Sequence, residues 1–243
     1  MTFPDPDQIE LFKKTPGAAS VCEMIYVAHL AEMSPDEGIH VDCGSNAGKF
    51  AMSAAIGLAR KGKPSILHCI DPVFDLENER AVSQMCQKKK ENIGWGWVFE
   101  PDFKEKFIDR ILTVSKGLVT PVLVGQASLD GLPMLHNQHG KFSYIYLDCD
   151  NHTKELVDAE VDYVKDKMIH DGVLAWHDFG NQFHAPRESY WRLMAEGTGW
   201  EEIPRPWEVI VPWVKERDLE KGNDTWHACD QEFPTFVGAL KKP

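Results

Sequence analysis

Short apolar runs alternate along this chain with longer segments in which apolar positions recur every three or four residues. The runs are Ile39–Cys43, Ile66–Asp71, Val122–Gly125, Phe142–Asp148 and Gly172–His177. Each is rich in β-branched or aromatic residues and bounded by glycine, proline or acids, so each predicts a strand. Helical patterns follow at Asn46–Arg60, Leu76–Asn92, Thr153–His170 and Pro186–Gly197. A β-α-β-α order predicts an α/β domain built on a doubly wound, mostly parallel sheet with helices on both faces. The tail departs from this order. Trp207–Val214 and Thr235–Leu240 both read as strands with no helix between them. They predict an antiparallel edge hairpin that brings the sheet to seven strands.

Two segments fall outside the alternation. Residues 1–37 form an N-terminal helical extension with a helix at Ser20–Met33. Residues 93–117 read as an insertion with a helix at Phe103–Ser115 and with Trp95 and Trp97 set between glycines. The tryptophans fit either a hydrophobic patch packed on neighbouring helices or a lid over a ligand. With no repeat and no low-complexity linker, residues 1–243 read as a single domain.

Charge narrows the partners. The chain holds 38 acidic and 26 basic residues, a net charge of −12, which repels phosphate backbones and argues against nucleic acid. Lys88-Lys89-Lys90 reads as the solvated end of a helix. The first residues lack the basic and apolar regions of a secretory signal, and no apolar run is long enough to span a membrane. Cys22, Cys43, Cys69, Cys86, Cys149 and Cys229 form no CxxC pair. They read as buried, reduced thiols of a cytoplasmic protein.

Ligands of open α/β sheets bind beyond the carboxyl ends of the strands, and there the chain places its chemistry. The first strand runs into HVDCGSNAGKF, in which Asp42, Gly44 and Gly48 make a D-x-G-x-x-x-G turn. Glycine permits the tight turn, and the free amides of the following helix favour a negative or polar ligand. The turn lacks the third glycine of a dinucleotide fingerprint, and Phe50 after Lys49 excludes a P-loop. The second strand ends at Asp71, where an acid can accept hydrogen bonds from ribose hydroxyls.

With VDCGSNAGKF, ILHCIDP, LVGQASLDGLP and YIYLDCDNH…GVLAWHDFG in this order, the chain resembles the class I S-adenosylmethionine-dependent methyltransferases over roughly residues 38–200. Within that class it is similar to the metal-dependent small-molecule O-methyltransferases, and above all to the sugar O-methyltransferases of antibiotic pathways. The resemblance implies a Rossmann-like fold with an antiparallel last strand. It implies that Asp42 and the turn residues Gly44, Ser45, Asn46 and Gly48 line the methionine part of S-adenosylmethionine. Asp71 would hold the ribose, and Gln126, Ala127 and Ser128 would sit by the adenine.

The fourth strand ends in Asp148-Cys149-Asp150-Asn151-His152 and the fifth in His177-Asp178. Carboxylates converging on adjacent strand ends repel one another unless a cation or proton intervenes. Oxygen ligands with a nearby histidine suit Mg²⁺ or Mn²⁺. In the resembling family a strand-four acid and an acidic pair after strand five hold the metal. Asp148, which also borders the cofactor, and Asp178 match those places, while His177 stands where the family usually has Asp. Asp150 is the first candidate for the base that deprotonates an acceptor hydroxyl and His152 the second. Helix capping by Asp150 is the plainer alternative. His184, Arg187 and Tyr190 read either as acceptor contacts or as an ordinary helix start. These residues predict metal-assisted methyl transfer to a hydroxyl of a small molecule such as a sugar. Competing readings are a hydroxylase-like or nicotinamide-dependent enzyme on the same scaffold, and a non-catalytic relative. A homodimer through the apolar N-terminal helix is compatible with the pattern.

Overall fold

The central sheet has the strand order β3-β2-β1-β4-β5-β7-β6 in a computed structural model that describes residues 1–17, 19–85, 91, 96–148, 153–179, 184–195, 197, 199–219 and 237–243. The strands are β1 (Ile39–Cys43), β2 (Ser65–Ile70), β3 (Val119–Val124), β4 (Phe142–Leu147), β5 (Met168–Trp176), β6 (Glu201–Glu202) and β7 (Gly238–Lys241). Strands β1 to β5 pair in parallel, and β7 runs antiparallel to both β5 and β6. The chain starts in the middle of the sheet, winds outward to β3, then returns past β1 to β4. The β1/β4 boundary is therefore the switch point at which such sheets open a ligand crevice.

Helices cover both faces. On one side lie α1 (Pro6–Lys14), α2 (Val21–Met33), α3 (Lys49–Arg60), α5 (Phe103–Val114) and α9 (Trp207–Glu216). On the other lie α6 (Ser128–His139), α7 (Lys154–Val164) and α8 (His184–Ala195). A short α4 (Glu79–Ser83) follows β2. Helix α2 is apolar around most of its circumference, and so sits in the interior rather than on the surface. It approaches α3 so closely that a Cβ on Gly57 would lie 2.0 Å from the Ala28 carbonyl oxygen. Its Tyr26 hydroxyl donates to the Ile203 carbonyl at 3.1 Å.

The structure changes several expectations. Trp207–Val214 is helical, not a strand. Its β-branched run suggests a strand, but Ile210 and Val214 are buried and Trp207 and Val211 pack beside them, which is a helical stripe. The antiparallel edge pair exists, with the two exposed residues Glu201 and Glu202 as its first strand. Helix α6 holds Gly131 and Pro133 inside its span, which weakens its local signal, whereas α1 starts with a capping box of Asp5 and Gln8 and Pro6 at its first position. Helix α5 lies on the path from β2 to β3. It buries Phe103, Phe107, Ile111 and Val114, with Trp97 packed against Phe103 at 5.7 Å between ring centroids. Trp95 lies outside the described residues. Among the cysteines, Cys43 and Cys69 are free and buried, whereas Cys22 is disulfide-bonded. That bond contradicts six reduced thiols and removes the argument for a reducing compartment. Among the described residues, no helix is long and apolar enough to cross a membrane.

Candidate active site

One repeated backbone contact sets the site. The residue after each central strand donates its amide to the last carbonyl of the strand beside it. Asp71 donates to Val124, Gly44 to Ile70, Asp148 to Cys43 and His177 to Leu147, at 3.0, 2.8, 2.9 and 2.9 Å. The ladder thus runs past the strands and pins these four residues in a row along the carboxyl edge. Parallel pairing in register brings them together from four separate sequence segments.

The glycine turn is shaped by backbone geometry. Gly44 and Gly48 have φ of 80° and 97°, and Asn46 has φ of 52°, a left-handed conformation that asparagine tolerates. A Cβ on Gly48 would also lie 2.8 Å from Phe107 of α5. From the same helix, Arg110 donates to the Ala47 carbonyl at 3.0 Å. Helix α5 therefore buttresses the turn. Ser45 is buried, and its hydroxyl donates to the Asp42 carbonyl at 2.9 Å.

Two buried acids flank the turn. Asp71 accepts the Asn46 amide on Oδ2 at 2.9 Å and the Val73 amide on Oδ1 at 3.0 Å. It thereby locks the turn to the end of β2. Asp42 is 1% exposed, and neither carboxylate oxygen accepts a hydrogen bond among the described residues. Burial pushes its pKa up to about 7, and the charges of Asp148 and Asp71 add to the rise.

Beside the turn lies a cavity of about 310 Å³, lined by Gly44, Asp71, Gln126, Ala127 and Ser128 among others. These five come from the sequence-predicted cofactor set. Apolar walls come from Ile70, Leu129 and Leu156. Gln126 directs a buried Oε1 with no hydrogen-bond partner among the described residues. Ser128 is less available, since its hydroxyl donates to the buried Glu160 of α7.

On the far side of Asp42 the charges gather. His177 Nδ1 lies 3.1 Å from Asp148 Oδ1 and 3.5 Å from Asp178 Oδ2. One ligand atom from each of the three falls within 4.8 Å of the others. Asp178 has φ of 52°, a strained backbone of the kind found at functional sites. Burial pulls the His177 pKa down, but Asp148 and Asp178 outweigh it and raise the value well above the ordinary one. Two carboxylates and an imidazole nitrogen facing one point fit a divalent cation that accepts mixed oxygen and nitrogen ligands. The predicted metal set, Asp148, His177 and Asp178, is brought together. The predicted bases, Asp150 and His152, lie outside the described residues. Tyr190 is buried against Trp176 and Phe179. The sequence reading missed Glu23 of α2, 1% exposed, whose Oε1 lies 3.3 Å from His177 Nε2. Locally Glu23 reads only as the N3 residue of a capping box with Ser20.

Neither a protein-family model nor a curated protein matches the sequence. Solved structures share the fold. The apo structure of CalS11, a TDP-rhamnose 3'-O-methyltransferase of calicheamicin biosynthesis, matches 99% of this chain and 96% of its own with a TM-score of 0.54 at 11% identity. A second structure of CalS11 matches 90% of this chain and 76% of its own, with a TM-score of 0.51 at 12% identity. The O-methyltransferase from Bacillus cereus in complex with SAH matches 82% of this chain and 84% of its own, with a TM-score of 0.51 at 12% identity. At such identities the likeness is one of architecture. This chain therefore shares its Rossmann-like α/β architecture with these solved methyltransferase structures.

Proposed function

We propose that this protein transfers a methyl group from S-adenosylmethionine to a hydroxyl of a small molecule, a sugar or another ring-containing metabolite. A divalent cation, Mg²⁺ or Mn²⁺, held by Asp148, His177 and Asp178, assists. The observation that carries the reading is the Asp42 carboxylate, buried and unpartnered among the described residues, at the head of a glycine turn that opens on a nucleoside-sized cavity. A buried carboxylate without a partner is costly, and a cationic ligand group relieves that cost. The ammonium of the cofactor's methionine part has the required charge.

The remaining residues fit the rest of the molecule. Asp71, fixed by the Asn46 and Val73 amides, borders the cavity where the ribose hydroxyls would lie. Gln126 Oε1 offers an acceptor to the adenine amine, and Ile70, Leu129 and Leu156 offer apolar contact to the ring. When bound, the cofactor supplies the electrophilic methyl and the cation lowers the pKa of the acceptor hydroxyl. Asp150, two residues past Asp148, takes the hydroxyl proton in this reading, with His152 second in line. Holding acceptor and donor side by side supplies much of the rate.

Calorimetry of the folded protein with S-adenosylmethionine and S-adenosylhomocysteine tests the reading. Binding of both at one site per chain is expected. Absence of heat and of any thermal shift with either compound removes the proposal.

A further inference from the structure

We propose that Glu23, on α2 in the N-terminal extension, is a positioning residue that presents His177 Nδ1 to the cation. The inference rests on the metal reading above and extends it to a helix outside the sheet's strand ends.

Ser20 caps α2, its hydroxyl accepting the Glu23 amide at 3.1 Å, while Glu23 Oε2 accepts the Ser20 amide at 2.6 Å. One carboxylate oxygen is thus fixed at a helix N-terminus, where the free amides and the helix dipole favour negative charge. The other, Oε1, faces His177 Nε2 at 3.3 Å. Neither of these two atoms has a hydrogen-bond partner of its own among the described residues. A capping box needs only one oxygen, so capping explains half of this carboxylate and leaves the half aimed at His177 unexplained.

The opposite edge of the imidazole completes the picture. Nδ1 faces Asp148 and Asp178, and Phe50 packs on the ring at 4.6 Å between centroids. A carboxylate at Nε2 holds the proton on that nitrogen and leaves the Nδ1 lone pair directed at the two acids. This is how outer carboxylates orient metal-binding histidines elsewhere. An imidazole so oriented also favours an ion that accepts nitrogen, such as Mn²⁺, over Mg²⁺.

The test is Mn²⁺ binding, followed by the resonance of free Mn²⁺, in wild type, Glu23→Gln, His177→Asn and the double variant. Gln keeps the size and an acceptor for the Ser20 amide but cannot supply the carboxylate at Nε2. Glu23→Gln is expected to weaken Mn²⁺ by about 10- to 100-fold while leaving S-adenosylhomocysteine affinity unchanged. In the His177→Asn background the same change should add nothing, because Glu23 acts through the imidazole. Equal Mn²⁺ affinity in wild type and Glu23→Gln overturns the inference and spares the metal reading. Equal losses in both backgrounds also overturn it, since the effect then bypasses His177. Failure of wild type itself to bind Mn²⁺, with S-adenosylhomocysteine still bound, removes the metal reading and this inference together, and leaves methyl transfer standing.

Discussion

Asp42 and Asp71 sit at the ends of adjacent parallel strands, each 1% exposed, and they are in opposite states. Asp71 spends each oxygen on a backbone amide; Asp42 spends neither. The contrast extends to the two halves of the carboxyl edge. Toward β2 and β3, the acid has already satisfied the turn and borders a cavity with apolar walls. Toward β4 and β5, Asp148, Asp178 and Glu23 crowd around one imidazole, and Asp42 feels the charge of Asp148. A half whose hydrogen bonds are closed acts as scaffold and shape. A half with surplus negative charge favours bound protons. The pKa values of Asp42 and His177 are both raised, the first mainly by burial and the second by Asp148 and Asp178.

The largest expected effect separates the two halves outright. Asp148→Asn removes a charge from the acidic half only. Metal-stimulated turnover should fall more than about a hundredfold, the scale of losing a group that sets metal binding and orientation. S-adenosylhomocysteine affinity, measured by calorimetry, should stay within about twofold by the same division of labour. A matched loss of affinity would show that the halves are not separate. Wild-type turnover that survives EDTA would take the metal out of the account.

Asp42→Asn comes next and tests the meaning of the unpartnered carboxylate. A charge-assisted bond to a cationic ligand contributes about 1.5–3 kcal/mol, so affinity for S-adenosylmethionine should fall by roughly 10- to 100-fold. The pH dependence has a definite sign. The folded pKa of about 7 lies above the ordinary carboxyl value, so the folded state holds the proton longer than the unfolded chain. The stability this confers is full below about pH 4 and is lost as pH rises to about 7, a change of up to about 4 kcal/mol. Wild type should lose melting temperature over that window relative to Asp42→Asn. Cofactor binding near pH 6.5 should release a proton, visible as a buffer-dependent heat. A difference between the two proteins that is flat from pH 4 to pH 8 would show that Asp42 is not held protonated.

Much of this edge was legible in the sequence because parallel strands end their apolar runs where the chemistry begins. Asp42, Gly44, Asp71, Asp148 and His177 all follow such runs, and the inter-strand amide bonds make them neighbours. Residues joined by tertiary contact alone were not legible. Glu23 reads locally as half of a capping box, and nothing within α2 tells that its other oxygen meets His177, just past β5. Trp207–Val214 misled for the converse reason. Its β-branched residues favour a strand intrinsically, yet burial of Ile210 and Val214 four residues apart favours a helix, and packing decides. Helix α6 stayed hidden behind Gly131 and Pro133, although Gly131 is where the helix meets Ile70. The disulfide at Cys22 also left no local trace, since pairing depends on what the fold brings near it.

The smallest effect is expected at Asp71, and its direction is the most telling. Asparagine at this position keeps the shape but offers one carbonyl oxygen for two backbone amides. Whichever way the amide turns, either the Asn46 or the Val73 N–H faces an NH₂ group instead of an acceptor. Leaving one buried donor unmet costs about 1–3 kcal/mol, so Asp71→Asn should lower stability at pH 8. At the same pH, Asp42→Asn removes an ionised group that has no hydrogen-bond partner among the described residues, and should be the more stable of the two variants. The cofactor loss at Asp71→Asn should be only several-fold, since one acceptor for the ribose persists; Asp71→Ala, with none, should lose more and also loosen the glycine turn. Denaturant unfolding of both asparagine variants beside wild type reads this directly. Equal stability changes would mean that a neighbouring pair of buried acids is interchangeable. Opposite displacements from the wild-type value would separate them physically: Asp71 as the clasp of the turn, and Asp42 as a charge held ready for a ligand.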